Sequence, residues 1–358
     1  MQAFQVFLLS AAISAGIIFF FLRSRVANLA LDHVDKPQTM HSEAVPRIGG
    51  IAMSLAMFAA LILYVENVAD DLALVAIFLG SICVVVVSAI DDFRSLSPAI
   101  RLSIHTLLGS LVVWSILGTS HPQTWPFVVA ACFATLSIVW SMNAYNFMDG
   151  ANGMAGFMGV IGFGAMAIAA AFANVPQLAV ICATVSGAVL GFLLLNYPNA
   201  RVFMGDSGSV SLGFLAATLG WYGWTVGAWA LYLPVLVFSP FLTDATVTLL
   251  RRAFRGEKIW LPHRQHVYQR LIIDCGWSHR RTAIAYAAVM LLASGDALRW
   301  HLGKPLTDSA YRWLPPLSML LTWVLTYLVL ITVAERKIRQ QHQTKITNMS
   351  TKKDQGAR

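Results

Sequence analysis

Charged side chains are scarce in this chain of 358 residues, since Asp, Glu, Lys and Arg together make up only 12% of it. Hydrophobic residues make up 57%, and the mean hydropathy is +0.66. An ordinary soluble domain carries about 25% charged residues. The composition therefore excludes that class and predicts a protein with several membrane-spanning segments.

Three other features are missing. The four cysteines have neither the paired spacing of a disulfide framework nor that of a zinc site, so they are interpreted as packing residues. No internal repeat is visible, which disfavours a transporter built from two duplicated halves. No soluble basic domain is present to hold a duplex, so nucleic acid is excluded as a partner.

Eleven apolar stretches are long enough to cross a bilayer as helices, which takes about 20 residues each. They cover residues 3–22, 48–65, 72–90, 102–120, 125–145, 153–173, 177–195, 207–225, 228–250, 282–298 and 313–334. The predicted fold is therefore an all-α polytopic membrane protein. It consists of one integral membrane domain over residues 1–335 and a basic, disordered tail over residues 336–358.

Basic residues are distributed unevenly between the two sides of this predicted bundle. With the N-terminus outside, 22 of the 25 Lys and Arg residues fall on the inner side, and only Arg299, Lys304 and Arg312 fall outside. Because Lys and Arg accumulate in cytoplasmic loops, we expect an external N-terminus and an internal C-terminus. The net charge of +8 then serves orientation and contact with anionic lipid or substrate.

Residues capable of chemistry gather in short segments on the predicted inner side. Asp91 and Asp92 follow the third apolar stretch, and adjacent carboxylates repel each other unless a cation or water stabilises them. Asn143, Asn146 and Asp149 recur at every third residue, which places them on one side of a helix or tight turn. These patterns favour a divalent metal or phosphate site over polar helix ends without a ligand.

Two further segments complete the set. Asp206 lies in a glycine-rich start of the eighth stretch, where it is either a simple N-cap or part of a phosphate-binding helix start. His263, Arg264 and His266 lie in the most basic loop and offer hydrogen-bond donors to anionic oxygens. Two histidines without a third ligand nearby are a weak zinc signal, so phosphate recognition is favoured. Asp244, at the inner end of the ninth stretch, is an expected partner for Arg251, Arg252, Arg255 and Lys258.

Taken in order, these motifs resemble those of the polyprenyl-phosphate N-acetylhexosamine-1-phosphate transferase family, glycosyltransferase family 4. The matching segments are Asp35-x-Pro37, Pro46-Arg47-x-Gly49-Gly50, Asp91-Asp92, Asn143-x-x-Asn146-x-x-Asp149-Gly150, Met204-Gly205-Asp206-x-Gly208-Ser209 and His263-x-x-His266. Each motif alone is weak, whereas the ordered set is specific and extends from Asp35 to Leu271.

The resemblance implies a helical enzyme of the bacterial inner membrane with its active site facing the cytoplasm. It would transfer a sugar-1-phosphate from a UDP-N-acetylhexosamine to undecaprenyl phosphate and release UMP, with Mg²⁺ as cofactor and Mn²⁺ as an alternative metal. This reaction would initiate a lipid-linked O-antigen, in lipopolysaccharide biosynthesis, or another cell-surface glycan. Membrane lipid and a second copy of the chain in a homodimer are the other implied partners.

The resemblance also assigns roles by position. Asp91 and Asp92 are expected to be catalytic near the acceptor phosphate, and Asp149 to be catalytic on the nucleotide side. Asp206 is expected to bind the metal, with Asn146 as its neighbour. The expected substrate-binding residues are Arg47, Arg101, Asn152, His263, Arg264 and His266.

Three departures from the family pattern bear on this assignment. Ser95 stands where many members have lysine, so Arg94 or Arg101 would supply that charge. Asn152 replaces an aspartate common in bacterial members, which weakens a mechanism that needs two acids there. The order His263-Arg264-Gln265-His266 differs from the triple histidine of the phospho-N-acetylmuramoyl-pentapeptide transferases. It favours a surface-glycan initiator over that alternative.

A lipid or ion transporter is the main alternative from another class of protein. A transporter is expected to place charged residues near the bilayer midplane, on broken helices. The charged residues of this chain instead cluster at one face of the predicted bundle. The pattern therefore favours an enzyme.

Overall fold

The computed structural model describes residues 1–24, 31–32, 45–64, 70–94, 96–118 and 125–303, together with helical positions 317, 320–321, 323–325, 328, 331–332 and 335–336. The long helices are α1 (Gln2–Arg23), α2 (Gly49–Tyr64), α3 (Leu72–Arg94), α4 (Pro98–Leu117), α5 (Trp125–Phe147), α6 (Met154–Phe172), α7 (Pro176–Asn196), α8 (Asp206–Thr225), α10 (Ser239–Phe254) and α12 (His279–Leu302). Two short helices are α9 (Tyr232–Val237) and α11 (Val267–Ile273). Strand β1 (Leu31–Asp32) pairs antiparallel with β2 (Val45–Pro46).

Among the described residues, seven helices are long and apolar enough to cross a membrane: α1, α3, α4, α5, α6, α7 and α12. The interior of a bilayer offers no water to the backbone, so a chain this apolar pairs its own N–H and C=O groups by forming helices. The predicted all-α polytopic membrane fold is therefore confirmed.

The predicted stretches correspond closely to these helices. The first eight and the tenth each coincide with one helix, whereas the ninth is divided at Phe238 into α9 and α10. Pro240 lies in the first turn of α10, where its missing N–H has no helical partner to lose. The eleventh stretch lies largely outside the described residues, as do Ser95 and nearly all of the tail over 336–358. The total of eleven spans and the orientation of the termini stay predictions.

Helix α7 lies at the centre of the bundle. Buried residues make up 83% of its span, compared with 28% to 56% in the other six candidate spans. Helices α1 and α6 pack against it. A Cβ atom at Gly187 would overlap the backbone oxygen of Phe7, and one at Gly191 that of Ala11. The glycines therefore allow α1 to approach α7 closely.

Four helix termini meet at one end of the bundle. Helices α3 and α5 end there, whereas α4 and α8 begin there. Helix α8 packs against α3, α4 and α5. The arrangement brings the acidic and amide side chains at these termini into one region.

The first turn of α2 fixes the segment that precedes α8. The backbone N–H of Gly49 donates to the oxygen of Phe203 at 3.0 Å, and that of Gly50 to the oxygen of Met204 at 2.8 Å. A Cβ atom at Gly50 would overlap the backbone of Gly208. Glycine is therefore required where α2 crosses the start of α8.

Candidate active site

A cavity of about 670 Å³ opens at the end of the bundle where these helix termini meet. Its wall is formed by residues of α3, α4, α5 and α8 and by the loop that carries the histidines. Ten of the eleven predicted site residues line it: Arg47, Asp91, Asp92, Arg101, Asn146, Asp149, Asn152, Asp206, His263 and His266. Arg264 is exposed and is not among the lining residues.

Asp92 closes the N-terminus of α8. Its Oδ1 accepts a hydrogen bond from the backbone N–H of Asp206 at 3.1 Å, and its Oδ2 accepts one from Ser207 at 3.2 Å. The unpaired amides of a helix start carry partial positive charge, so a carboxylate is stabilised there. Gly205 has a φ of 72°, and a Cβ atom at this position would press on Asp92. Glycine before Asp206 therefore admits the carboxylate.

Arg101 links two other carboxylates in the cavity wall. Its Nη1 lies 2.8 Å from Asp91 Oδ2 and 3.4 Å from Asp206 Oδ2. Asp91 Oδ1 also accepts a hydrogen bond from the backbone N–H of Leu96 at 2.6 Å. Arg94 is exposed and does not line the cavity. Of the two arginines considered as replacements for the missing lysine, Arg101 is therefore the one at the site.

Asn146 and Asp206 are direct neighbours. The Nδ2 of Asn146 donates to Asp206 Oδ1 at 2.9 Å and to Ser209 Oγ at 3.0 Å. The amide of Asn146 thus directs its nitrogen, not its oxygen, toward Asp206. Coordination of a cation by both residues would require this amide to turn over.

Asp149 lies in the turn that follows α5. Burial raises the pKa of Asp149 well above its usual range, Asp206 and Asp92 raise it further, and Arg47 opposes them. On the other side of the turn, a Cβ atom at Gly150 would overlap the hydroxyl group of Tyr268. Asp149 therefore holds a proton more strongly than an exposed aspartate, and glycine is needed beside it.

The cavity wall is acidic. It carries four carboxylates, those of Asp91, Asp92, Asp149 and Asp206, and two guanidinium groups, those of Arg47 and Arg101. Like charges repel strongly where water is partly excluded. The site therefore takes an anionic substrate only with a bound cation or with protonation of a carboxyl group.

His263 faces this acidic region from the loop before α11. Burial lowers the pKa of His263 to about 4, and His266 and Arg252 also lower it. Its Nδ1 accepts a hydrogen bond from the backbone N–H of Gln265 at 3.3 Å. The neutral ring therefore carries its proton on Nε2 and acts as an uncharged hydrogen-bond donor.

His266 is buried between aromatic rings. Its ring stacks on Phe147, with 5.7 Å between centroids, and on Tyr268, with 6.2 Å. The hydroxyl group of Tyr268 donates to the backbone oxygen of Phe147 at 3.0 Å. The loop is thus joined to the end of α5, where Asn146 and Asp149 lie.

Sequence comparisons agree with this arrangement. The model of glycosyl transferase family 4 matches residues 74–223, which include both members of the Asp91-Asp92 pair, Asn146, Asp149 and Asp206. A decaprenyl-phosphate N-acetylglucosaminephosphotransferase of Mycobacterium leprae (strain TN) is 30% identical over 335 residues, covering 80% of this chain and 82% of the relative. The chain belongs to glycosyl transferase family 4.

Two further relatives cover a similar share of the chain. A probable undecaprenyl-phosphate N-acetylglucosaminyl 1-phosphate transferase of Bacillus subtilis (strain 168) is 27% identical over 309 residues, 83% of either chain. An undecaprenyl-phosphate alpha-N-acetylglucosaminyl 1-phosphate transferase of Escherichia coli (strain K12) is 27% identical over 318 residues, 80% of this chain and 82% of the relative. The predicted family and the prediction of a membrane-bound transferase are confirmed.

A member of family 4 was expected to hold Mg²⁺ at Asp206 and Asn146, and the residues fit that ion. Among the residues that the structure describes, no three carboxylate, imidazole or thiol groups form a complete metal site. Mg²⁺ commonly takes only one or two protein ligands and completes its shell with water and substrate phosphates. The Asp206 carboxylate at the head of α8 matches that donor set, and the Asn146 amide beside it would join it once its oxygen turns toward the ion.

Asn152, predicted to bind substrate, supports the rim of the cavity. Its Nδ2 donates to the backbone oxygen of Pro198 at 3.3 Å, and its backbone N–H to His279 Nδ1 at 3.4 Å. The position therefore connects the segment after α7 to the start of α12. Asn152 thus lines the cavity with a neutral amide and adds no carboxylate to its wall.

Two histidines of the cavity are absent from the sequence-based set. His105 is buried one turn after Arg101 on α4, and its Nδ1 has no hydrogen-bond partner within the described structure. His279 is the first residue of α12 and lines the cavity beside Asn152. Helical spacing from Arg101 could have indicated His105, whereas His279 reaches the site only through tertiary packing.

Proposed function

We propose that this transferase moves N-acetylhexosamine-1-phosphate from a UDP-N-acetylhexosamine to undecaprenyl phosphate and releases UMP. The observation that carries this proposal is the meeting of Asp91, Asp92, Asp149 and Asp206 with Arg47 and Arg101 in one cavity. The names of the relatives from three bacteria support the same class of reaction, since each is a polyprenyl-phosphate N-acetylglucosamine-1-phosphate transferase.

The cavity combines polar and apolar walls, as a lipid phosphate acceptor requires. Val87 of α3, Leu102 of α4 and Val210 of α8 line it together with the acids and arginines. The apolar side chains suit the first isoprene units of the acceptor, and Arg101 lies where its phosphate would enter. Undecaprenyl phosphate therefore reaches the site from the surrounding lipid, and the UDP-sugar reaches it from water.

The acceptor phosphate attacks the β-phosphorus of the donor directly. A phosphate monoester has a second pKa of about 6, so it is largely a dianion at neutral pH and needs no strong base. Asp91 orients Arg101 toward the acceptor, and Asp92 fixes the start of α8 at which Asp206 lies. Alignment and charge neutralisation then supply the catalysis, without a covalent intermediate on an aspartate.

Asp206 and Asn146 would hold Mg²⁺, with Mn²⁺ as an alternative. When bound, the ion neutralises the diphosphate oxygens and polarises the departing UMP. The acidic excess of the wall supports this proposal, because Arg47 and Arg101 alone do not balance four carboxylates and an anionic substrate. Asp149, whose pKa burial raises, would hold its proton more strongly than an exposed aspartate and so lower the negative charge of the wall.

The histidine loop, residues 255–266 between α10 and α11, faces the donor sugar. His263 offers a neutral Nε2–H, and His266 presents a fixed ring between Phe147 and Tyr268. These contacts suit hydroxyl, acetamido and phosphate oxygens of a simple N-acetylhexosamine. The protein would therefore initiate an O-antigen or another surface glycan and would not use UDP-N-acetylmuramoyl-pentapeptide.

The transferase is proposed to lie in the bacterial inner membrane with the cavity toward the cytoplasm, where UDP-sugars are made. The placement of the cavity's charged residues supports an enzyme over a transporter, since they lie at helix termini at one end of the bundle and not along its middle. A homodimer embedded in membrane lipid completes the proposal.

Release of UMP by the purified protein tests this function. Detergent-solubilised protein is mixed with undecaprenyl phosphate, Mg²⁺ and one nucleotide sugar from a panel of UDP-N-acetylhexosamines and UDP-N-acetylmuramoyl-pentapeptide. We expect acceptor-dependent UMP release with an N-acetylhexosamine and none with the pentapeptide. Comparable turnover of the pentapeptide would favour a phospho-N-acetylmuramoyl-pentapeptide transferase over a surface-glycan initiator. Labelled sugar phosphate trapped on the protein without acceptor would exclude direct attack.

A further inference from the structure

Asp244 of α10 lies beneath the histidine loop with no exposed surface. Its Oδ1 accepts hydrogen bonds from the backbone N–H of Val267 at 3.0 Å and from Thr248 Oγ1 at 3.2 Å. Its Oδ2 accepts them from the Tyr286 hydroxyl group at 2.6 Å and from the backbone N–H of Tyr268 at 3.4 Å. One carboxylate therefore ties the first residues of α11 to α10 and α12.

The same carboxylate also lies beside a cavity histidine. Asp244 Oδ1 lies 3.4 Å from His266 Nδ1. A fully buried carboxylate is costly unless directed donors replace its water. Here the donors include backbone N–H groups of α11 as well as side chains. The Asp244 carboxylate therefore fixes the position of α11.

Tyr268 carries this constraint across the cavity. Its backbone N–H is bound to Asp244, and its hydroxyl group donates to the backbone oxygen of Phe147 at 3.0 Å. Gly150, which follows Asp149, packs directly against that hydroxyl group. A displacement of α11 would therefore move His263 and His266 and loosen the Asp149 turn. The pair of Asp91 and Arg101, which α3 and α4 carry, would keep its place.

We propose that Asp244 is a positioning residue that holds the histidine loop over the cavity and so determines affinity for the UDP-sugar donor. The identity of that donor rests on the proposed function, whereas the placement of the loop does not. Loss of the Asp244 carboxylate should weaken binding of the UDP-sugar donor and leave binding of the lipid acceptor unchanged, because the two substrates contact different walls of the cavity.

The first arm of the test needs no substrate. Val267, only 8% exposed, is replaced by cysteine in a Cys275→Ser background, and a water-soluble maleimide is followed at each cysteine by mass spectrometry. We expect Asp244→Asn to speed labelling at position 267 by about tenfold. Native Cys182, buried in α7, should stay unlabelled and so report an intact fold. Equal protection of position 267 in both proteins would overturn the inference.

The second arm measures transfer. Asp244→Asn should raise the KM for the UDP-sugar by about tenfold and leave the KM for undecaprenyl phosphate within about twofold. Asp274→Asn is the matched control, because Asp274 lies just after α11 and pairs with Arg270 without contacting Asp244. It should change neither labelling nor donor KM. An equal loss for both substrates would reduce Asp244 to a general stabilising residue and overturn the inference.

A milder variant decides the matter if Asp244→Asn does not fold, as labelling of Cys182 would reveal. Tyr286→Phe removes one hydrogen bond to Asp244 and keeps the carboxylate, so labelling at position 267 and donor KM should both rise by about twofold. No change in either would contradict the proposal. If the wild-type protein transfers no sugar phosphate, the proposed function fails, while the labelling arm still reports whether Asp244 holds the loop.

Discussion

Asp92 and Asp206, 114 positions apart, are joined by a hydrogen bond of 3.1 Å from the backbone N–H of Asp206 to Asp92 Oδ1. The neighbouring Asp91 is bound by Arg101. Two adjacent carboxylates therefore avoid mutual repulsion by turning to different positive partners, a guanidinium group and the start of α8. Asp91 and Asp92 therefore hold α3, α4 and α8 together at the cavity, and both also line its wall.

Replacing Asp92 separates its capping role from its chemical role. Asp92→Ala leaves two amides of α8 without an acceptor, and loss of a cap costs about 1 kcal/mol of stability. Asp92→Asn keeps one acceptor, so its melting temperature should lie between those of wild type and Asp92→Ala. Both variants should lose most UMP release.

Asp71→Ala is the control for this measurement, because Asp71 caps α3 through Ala73 and Leu74 at the end opposite Asp92. It should lower the melting temperature to a similar degree and keep activity. Full activity in folded Asp92→Asn would show that the carboxylate acts only as a cap.

Arg101→Met should reduce turnover by at least about tenfold, since Asp91 and Asp206 would lose a shared cation and the acceptor phosphate a partner. The side chain of Arg101 is 37% exposed, so solvent screening limits the stability loss to about 1 kcal/mol. Arg94→Met provides the comparison, because Arg94 is exposed and outside the cavity wall. Equal activities of the two variants would contradict the assignment.

Most of the fold could be predicted from the sequence because membrane helices need long apolar stretches, and the eight from 3–22 to 207–225 each became one helix. The division at Phe238 was missed because residues 228–250 carry a single charged residue, Asp244, and so read as one continuous span. The ordered motifs also predicted which side chains gather at the cavity. Their individual partners could not be predicted, since the capping of α8 by Asp92 is a tertiary contact.

Asp244 illustrates the same limit. The sequence predicted a partner among Arg251, Arg252, Arg255 and Lys258, whereas the carboxylate accepts hydrogen bonds from backbone amides of α11 and from Tyr286. Backbone donors carry no sequence signal. Likewise, His279 reaches the cavity only because α12 begins beside Asn152.

The depressed pKa of His263 predicts a specific loss of stability in acid. In the folded protein its pKa is about 4, whereas an unfolded histidine titrates near 6.5. The contribution of His263 to the free energy of unfolding is therefore complete above pH 6.5. It falls as the pH drops toward 4, because the unfolded chain binds a proton that the folded chain does not. In His263→Gln the melting temperature should therefore fall less steeply between pH 6.5 and 4 than in the wild-type protein. A constant difference between the two proteins from pH 7.5 to 4.5 would argue against this titration.

Topology follows from the 22-to-3 distribution of basic residues, and single cysteines test it. Ser97, the N-cap of α4, lies at the cavity end, and Thr225 lies at the far end of α8. In intact cells of a Cys275→Ser background, Thr225→Cys should react with an impermeant maleimide and Ser97→Cys should react only after permeabilisation. The reverse pattern would invert the proposed orientation.

Metal dependence is tested most sharply at Asp206. Its carboxylate is bound by Asn146 and Arg101 and lies at the head of α8, where one hard oxygen ligand suffices for Mg²⁺ when substrate phosphates and water supply the rest. Asp206→Asn and Asp206→Ala should both lose UMP release while keeping a wild-type elution profile in detergent. The backbone N–H that Asp92 binds survives in either variant, so the start of α8 should stay capped.

EDTA should abolish turnover by the wild-type protein, and added Mg²⁺ should restore it, with partial recovery in Mn²⁺. Ser209→Ala removes the other acceptor of the Asn146 amide without removing a carboxylate, and it should retain most activity. A folded Asp206→Asn protein with near-normal turnover in EDTA would show that the acidic wall is balanced without a divalent ion. The four carboxylates would then have to bind the diphosphate through protonation, beginning with Asp149, whose pKa burial already raises.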